Sequence, residues 1–139
     1  MGERLSQVFL SDSGWIQNCV RRIESAGFGV EWACGGGALT KELAELWDQG
    51  LGIELDPQFL PKLSRRYTSD GWNFIRADLL EYPLPQGPAP YPLVANLPYH
   101  ITGPALMRIL RYNSRIKKFY GLVQWEVAER LGANPGDSE

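Results

Sequence analysis

The chain has 139 residues, 44% of them hydrophobic and 22% charged, with a formal net charge of −2 at pH 7. This is the composition of one ordinary globular domain with a single core, and the overall charge carries no nucleic-acid signature. No apolar run is long enough to span a membrane and the first five residues do not resemble a signal peptide, so a cytoplasmic location without membrane contact is expected.

Taken in order, the apolar pattern predicts strands alternating with amphipathic helices, the mark of an open α/β sheet. Trp15, Cys19 and Ile23 recur every four residues with Ile16 and Val20 beside them, predicting a first helix over residues 12–26 that Gly27 and Gly29 end. Strand one follows at 30–33, then Cys34-Gly35-Gly36-Gly37 and a helix carrying Leu39, Leu43 and Trp47 on one face. Strand two is predicted at 51–55. Asp56 can cap the next helix with Pro57 at its first position, Pro61 can delay its true start, and Phe59, Leu63 and Tyr67 face the sheet. Strand three covers 72–77. A connection with Pro83, Pro85, Pro88, Pro90 and Pro92 is too proline-rich for regular structure. Strand four is 93–95, a helix opening at Gly103-Pro104 turns Leu106, Ile109 and Leu110 inward, strand five is 119–123, and a short helix spans 124–131. No internal repeat or second domain is found, so residues 1–139 form one domain. Cys19 and Cys34 have no metal-ligand spacing and are expected to be free, buried thiols, with no metal site.

The run Asn96-Leu97-Pro98-Tyr99 carries the chemistry. The exocyclic amine of adenine is a poor nucleophile because its lone pair is delocalised into the ring. A catalyst must accept hydrogen bonds from both N–H groups and aim the lone pair at an electrophilic carbon. The Asn96 side-chain oxygen and a backbone carbonyl at Leu97 or Pro98 supply two acceptors. Pro98 fixes its own φ and pushes Leu97 towards an extended conformation, and Tyr99 can stack on a base swung out of its neighbours' stack. Read alone, the four residues fit a strand-end turn with a core tyrosine equally well.

Their company decides. In open α/β sheets ligands lie at the carboxyl ends of the strands, beside the reversal of strand order. Four groups fall at those ends: the glycines after strand one, followed by a helix N-terminus that favours a carboxylate; Glu54, which can take both hydroxyls of a ribose; Asp78, which can accept from an adenine amine while the Leu79 N–H donates to the ring; and Asn96 at the centre. The ordered set fits an adenosine with a methyl donor pointing at Asn96. Residues 101–120 also hold Arg108, Arg111, Arg115, Lys117 and Lys118 with no acid among them, a patch able to meet phosphates or simply a solvated helix end.

Together with residues 7–10, Glu31 to Thr40, Gly52 to Asp56, Ala77 to Leu80 and Gln124 to Leu131, these motifs resemble the ribosomal RNA adenine dimethyltransferase family over nearly the whole chain. The resemblance implies a Rossmann-like fold and transfer of methyl groups from S-adenosyl-L-methionine to adenine amines, usually two adjacent adenines of small-subunit rRNA. Its partner would be rRNA or an immature small ribosomal subunit. It carries over the cofactor positions Val8, Leu10, Ala33, Gly35, Gly37, Glu54, Asp78, Leu79 and Asn96, although the family has Asn where Val8 stands, Gly at Ala33 and usually Pro at Cys34. It also implies strand order three, two, one, four, five. The chain would correspond to the amino-terminal part of the family's catalytic domain, with the edge of strand five open to self-association. The alternatives are a large-subunit adenine methyltransferase, a methyltransferase-like domain that binds RNA or protein without turnover, and a nicotinamide dehydrogenase, whose fingerprint needs a third glycine where Thr40 stands.

Overall fold

The computed structural model describes residues 13–112 and 114–122, with only the backbone of residues 13–15 and 99. Val8, Leu10, residue 123 and the helix expected at 124–131 lie outside the described residues.

Among the described residues the elements run α1 (Ser13–Val20), β1 (Ala26–Trp32), α2 (Ala38–Leu46), β2 (Trp47–Glu54), α3 (Leu60–Tyr67), β3 (Trp72–Arg76), β4 (Tyr91–Asn96), α4 (Thr102–Arg111) and β5 (Ile116–Leu122), alternating except that β3 passes to β4 without a helix. All strand pairs are parallel and the order is β3-β2-β1-β4-β5, as expected from the resemblance. The order reverses between β1 and β4, so the carboxyl ends of these two strands flank the crevice where such sheets bind ligands. One core layer gathers Val30, Trp32, Ile53, Leu93, Ala95, Ala105 and Ile109; the other gathers Ile16, Ile23, Leu39, Leu43, Leu63 and Val94 with the rings of Trp47, Trp72 and Phe74 among its aromatics.

Those rings explain several glycines. Trp47 and Trp72 stack with centroids 5.8 Å apart and planes 8° apart, and Phe74 continues the stack at 5.8 Å from Trp72. They lie flat on strand backbone that has no side chain. A Cβ on Gly29 would sit 2.4 Å from the Trp47 ring, one on Gly50 2.3 Å from Trp72, and one on Gly52 2.6 Å from Phe74.

Gly29 therefore belongs to β1, which begins at Ala26, and α1 ends six residues before the predicted terminus. Trp47 opens β2 with φ −111° and ψ 137° instead of closing the helix before it. Pro92 lies inside β4, at the irregularity where the pairing with β5 shifts between Tyr91 and Pro92; pairing with β1 begins only at Leu93. A residue without an N–H is tolerated at such a bulge. Asp56 caps as expected, its Oδ1 accepting from the Gln58 N–H at 3.0 Å, and a 3-10 turn over Pro57–Phe59 precedes α3. On α4 the buried stripe is Thr102, Ala105 and Ile109, whereas Leu110, expected inward, is 68% exposed. Of the two cysteines only Cys34 is buried; Cys19 is half-buried.

Gly50→Ala should cost about 1–3 kcal/mol of stability, since the new methyl must displace the Trp72 ring from a packed layer. Gly36→Ala, where a Cβ meets nothing within 4 Å among the described residues, should leave the urea midpoint unchanged. Equal midpoints for Gly50→Ala and the unmodified chain would show that the ring yields freely.

Candidate functional site at the carboxyl ends of the strands

The register aligns the four strand ends. Ile53, Trp32 and Ala95 pair across β2, β1 and β4, and Glu54 pairs with Arg76 of β3. Glu54, Ala33 and Asn96 are the next residues on their strands, and Asp78 follows two residues after β3. From Asp78 to Asn96 is three inter-strand spacings, about 14 Å, the span of a nucleoside with a chain on its 5′ carbon. The sheet thus gathers the predicted Glu54, Asp78, Leu79, Asn96 and the glycine turn at one end.

Glu54 is 8% exposed, and its carboxylate ties two segments together: Oε1 accepts from the Gly35 N–H at 2.6 Å and Oε2 from the Asp56 N–H at 2.8 Å. A carboxylate has about four acceptor positions, so two remain for a diol. The turn it holds has three residues in the left-handed region: Ala33 (φ 59°), Gly35 (φ 54°) and Gly37 (φ 90°). Gly37 is also crowded, because a Cβ there would lie 3.0 Å from Leu63 Cδ2. Among the described residues nothing lies within 4 Å of a Cβ built on Gly35 or Gly36, so they leave the outer side of the turn open, and α2 starts immediately after it. This open cradle, with the carboxylates of Glu54 and Asp78 on one side of it along the strand ends and the Asn96 amide on the other, fits an adenosine-type cofactor.

Asp78 shapes the turn after β3. Its Oδ1 accepts from the Leu80 N–H at 2.9 Å, and its carbonyl accepts from the Glu81 and Tyr82 N–H groups, each at 2.9 Å. Asn96, half-buried, makes no side-chain hydrogen bond among the described residues. The Pro98 carbonyl accepts from the Ile101 N–H at 3.2 Å and from Thr102 Oγ1 at 3.2 Å, which commits it to the turn. Leu97 is buried, and its N–H donates to the Leu122 carbonyl at 3.4 Å. Tyr99 opens the 3-10 turn Tyr99–Ile101; its side chain lies outside the description.

Three features escaped the sequence reading. Glu31, in the middle of the central strand, is 1% exposed and accepts from Thr40 Oγ1 at 2.6 Å. Burial pushes its carboxyl up to about 8, against the opposing effect of hydrogen bonds from Thr40 and Cys34. An acid within an otherwise apolar strand is the signal that was available. Burial also raises the Cys34 thiol, which lies under the turn, and makes it a poor nucleophile. Finally, the basic run is no phosphate patch beside Asn96. Lys118 pairs with Pro92 and Leu122 with Asn96, so the lysines lie about 13 Å down the strands. Lys117 pairs with Glu24 at 3.4 Å, while Arg108 and Arg115 donate to the Leu79 and Leu84 carbonyls. A depression of about 310 Å³ at that far end, bordered by Phe28, Pro90 and Lys117, touches none of the predicted site residues.

A family model described as Ribosomal RNA adenine dimethylase matches residues 2–139. The chain belongs to that family. It is 35% identical over 141 residues to the Ribosomal RNA small subunit methyltransferase A of Hahella chejuensis, covering 97% of this chain and 52% of that protein. To the protein of the same name from Geobacter sulfurreducens it is 34% identical over 144 residues, covering 97% and 52%. Among solved structures, a dimethyladenosine transferase from Plasmodium falciparum superposes with TM-score 0.77 at 26% identity, covering 90% of this chain and 46% of that one. The 23S rRNA methyltransferase ErmE gives 0.75 at 26%, covering 88% and 50%. The chain spans about half the length of the curated relatives it matches.

Within the Ribosomal RNA adenine dimethylase family, Ala33 stands where the pattern has glycine, and its φ of 59° gives the reason for that glycine. Left-handed backbone costs an L-residue roughly 1–2 kcal/mol, partly offset here by the lower chain entropy of alanine when unfolded. Ala33→Gly should therefore raise stability by roughly 0.5–1 kcal/mol in urea denaturation; a loss would mean that the methyl group contributes packing the backbone strain does not outweigh.

A second expectation follows from Glu31. Its folded-state carboxyl is raised from 4.5 to about 8, so the fold holds a proton that the unfolded chain releases. The stability this confers is full below about pH 4.5 and is lost as pH rises towards about 8. Glu31→Gln stays neutral at every pH and still accepts from Thr40. The stability of the unmodified chain relative to Glu31→Gln should fall steadily between about pH 5 and about pH 8; a difference that does not change with pH would mean that Glu31 is ionised in the fold.

Proposed function

We propose that the chain is the cofactor-binding, amine-aiming part of an enzyme that dimethylates adenine exocyclic amines in rRNA, with adjacent adenines of the small subunit as substrate. When bound, S-adenosyl-L-methionine supplies an electrophilic methyl group; the chain's residues hold and aim the two partners. The two free acceptor positions of Glu54 take the ribose hydroxyls. Asp78 Oδ2 accepts from the cofactor's adenine amine while the Leu79 N–H donates to the ring. The turn over Ala33, Gly35 and Gly37 lets backbone approach the methionine portion, whose carboxylate is favoured by the N-terminus of α2. Val8 and Leu10 enter this site by resemblance alone.

The reading rests on one observation above all: Asn96 ends β4 on the strand next to the glycine turn, with the Pro98 carbonyl already committed. Of the two candidate carbonyls, Leu97 is then the one that accepts the second N–H of the target amine, beside the Asn96 oxygen. Tyr99 stacks on the extruded base, a contact of about 1–3 kcal/mol. No proton is removed by a side chain before transfer; the two acceptors turn the lone pair towards the methyl carbon. The small-subunit relatives at 34–35% identity favour this substrate over a large-subunit adenine. Presentation of the RNA within an immature subunit, and self-association along the edge of β5, which pairs among the described residues with β4 alone, belong to the same proposal.

Calorimetric titration with S-adenosylmethionine tests the cofactor half. Glu54→Ala and Asp78→Ala should each weaken binding by about 10- to 100-fold, the loss of charge-assisted hydrogen bonds in a partly desolvated site. Equal affinities in all three proteins would move the cofactor elsewhere. Transfer of labelled methyl groups to unmodified small ribosomal subunits tests the reaction.

A further inference from the structure

α4 does more than cover the sheet. It leaves the Asn96–Tyr99 turn and reaches back to the other end of the site through Arg108, whose Nη1 donates to the Leu79 carbonyl. That carbonyl shares a peptide plane with the Leu80 N–H, and the Leu80 N–H donates to Asp78 Oδ1 at 2.9 Å. Both ends of one peptide are therefore pinned, its oxygen by a guanidinium and its N–H by the carboxylate. Three groups run in line: Arg108, the 79–80 peptide and Asp78. In such a chain each bond polarises the next, so the cation strengthens the N–H donor facing Asp78. The peptide's orientation fixes which carboxylate oxygen is occupied and which is left over.

Arg108 is itself held. Its Cζ lies 5.6 Å from the centroid of Tyr112, and Arg115 lies 5.5 Å from the same ring. Arg115 donates to the Leu84 carbonyl at 2.7 Å, and Tyr91 Oη donates to the Pro85 carbonyl at 2.6 Å, so the following stretch of the connection is tied down by the same group of side chains. A planar guanidinium can stack and donate at once; an ammonium cannot do both with the same geometry.

We propose that Arg108 is a positioning residue for the adenine end of the cofactor site, acting through the 79–80 peptide to orient Asp78. This deepens the functional reading above and rests on it. The carboxylate that reads the adenine amine is set by the helix that leaves the methyl-transfer turn, so the two halves of the site are one mechanical unit. Arg108 touches neither cofactor nor substrate.

The test is a binding cycle by calorimetry with S-adenosylhomocysteine and with its inosine counterpart, in which oxygen replaces the adenine amine. Melting curves accompany each variant. Arg108→Met should weaken S-adenosylhomocysteine binding about tenfold and erode the preference for adenine over inosine, a ratio that a general loss of stability does not move. On the Asp78→Ala background the same change should have less than about a twofold effect, while on the Glu54→Ala background the two losses should multiply. Arg108→Lys, which keeps a donor to the Leu79 carbonyl, should recover part of the preference and carries the test if Arg108→Met does not fold. An unchanged adenine preference in a folded Arg108 variant, or full multiplication with Asp78→Ala, would overturn the proposal while leaving the functional reading intact. No binding by the folded, unmodified chain would overturn both.

Discussion

The double hydrogen bond at Glu54 is the constraint on which the site depends. A carboxylate at the end of β2 receives one backbone N–H from the glycine turn after β1 and another from its own strand's exit at Asp56. The turn is conformationally expensive, with three left-handed residues in five, one of them an alanine. Without an anchor it would relax. Because Glu54 is nearly buried, its two N–H partners compensate the loss of water around a charge, and the same carboxylate keeps acceptor capacity for a ligand. Holding the loop and, in the proposed reading, binding the ribose are thus two uses of one group, so substitution of Glu54 is expected to act on both.

Beneath the site, the fold solves a packing problem with glycine and tryptophan. Parallel strands buried on both faces usually read as runs of branched aliphatics, yet here β1 and β2 carry Gly29, Gly50 and Gly52 so that Trp47, Trp72 and Phe74 can lie flat on the backbone. The same buried face holds the acid Glu31, two residues on from Gly29, kept neutral by burial and joined to Thr40 at the start of α2. This link ties the helix that follows the glycine turn to the strand that precedes it, so the turn is fixed at its base by Glu31 and at its rim by Glu54.

Most of the architecture was legible because its signals are local. Alternating apolar runs gave the class, and the motifs Glu54, Asp78 and Asn96 each fall at a strand end whose register the structure then aligned. Boundaries failed where tertiary packing overrode local grammar. Gly29 reads as a helix stop but serves as a platform for Trp47, and Trp47 itself sits at helical spacing from Leu43 although the chain has already become extended. Pro92 reads as loop but occupies a bulge that asks for no N–H. The basic run reads equally as a phosphate patch or a solvated helix end, yet Arg108 and Arg115 donate to carbonyls of the proline-rich connection, partners 29 and 31 residues away that no window of sequence contains. The strain at Ala33 was also out of reach, since only coordinates reveal a φ of 59°.

The central claim is that the ends of β3, β2, β1 and β4 form one cradle, read in order from adenine to methyl group. A crystal structure of the chain with S-adenosylhomocysteine tests it most directly. The account predicts the adenine amine on Asp78, the ribose hydroxyls on Glu54 with its bonds to Gly35 and Asp56 retained, and the sulfur beside Asn96. A ligand seated at the opposite end of the sheet, or one at this end with Glu54 turned away from the ribose, would contradict it.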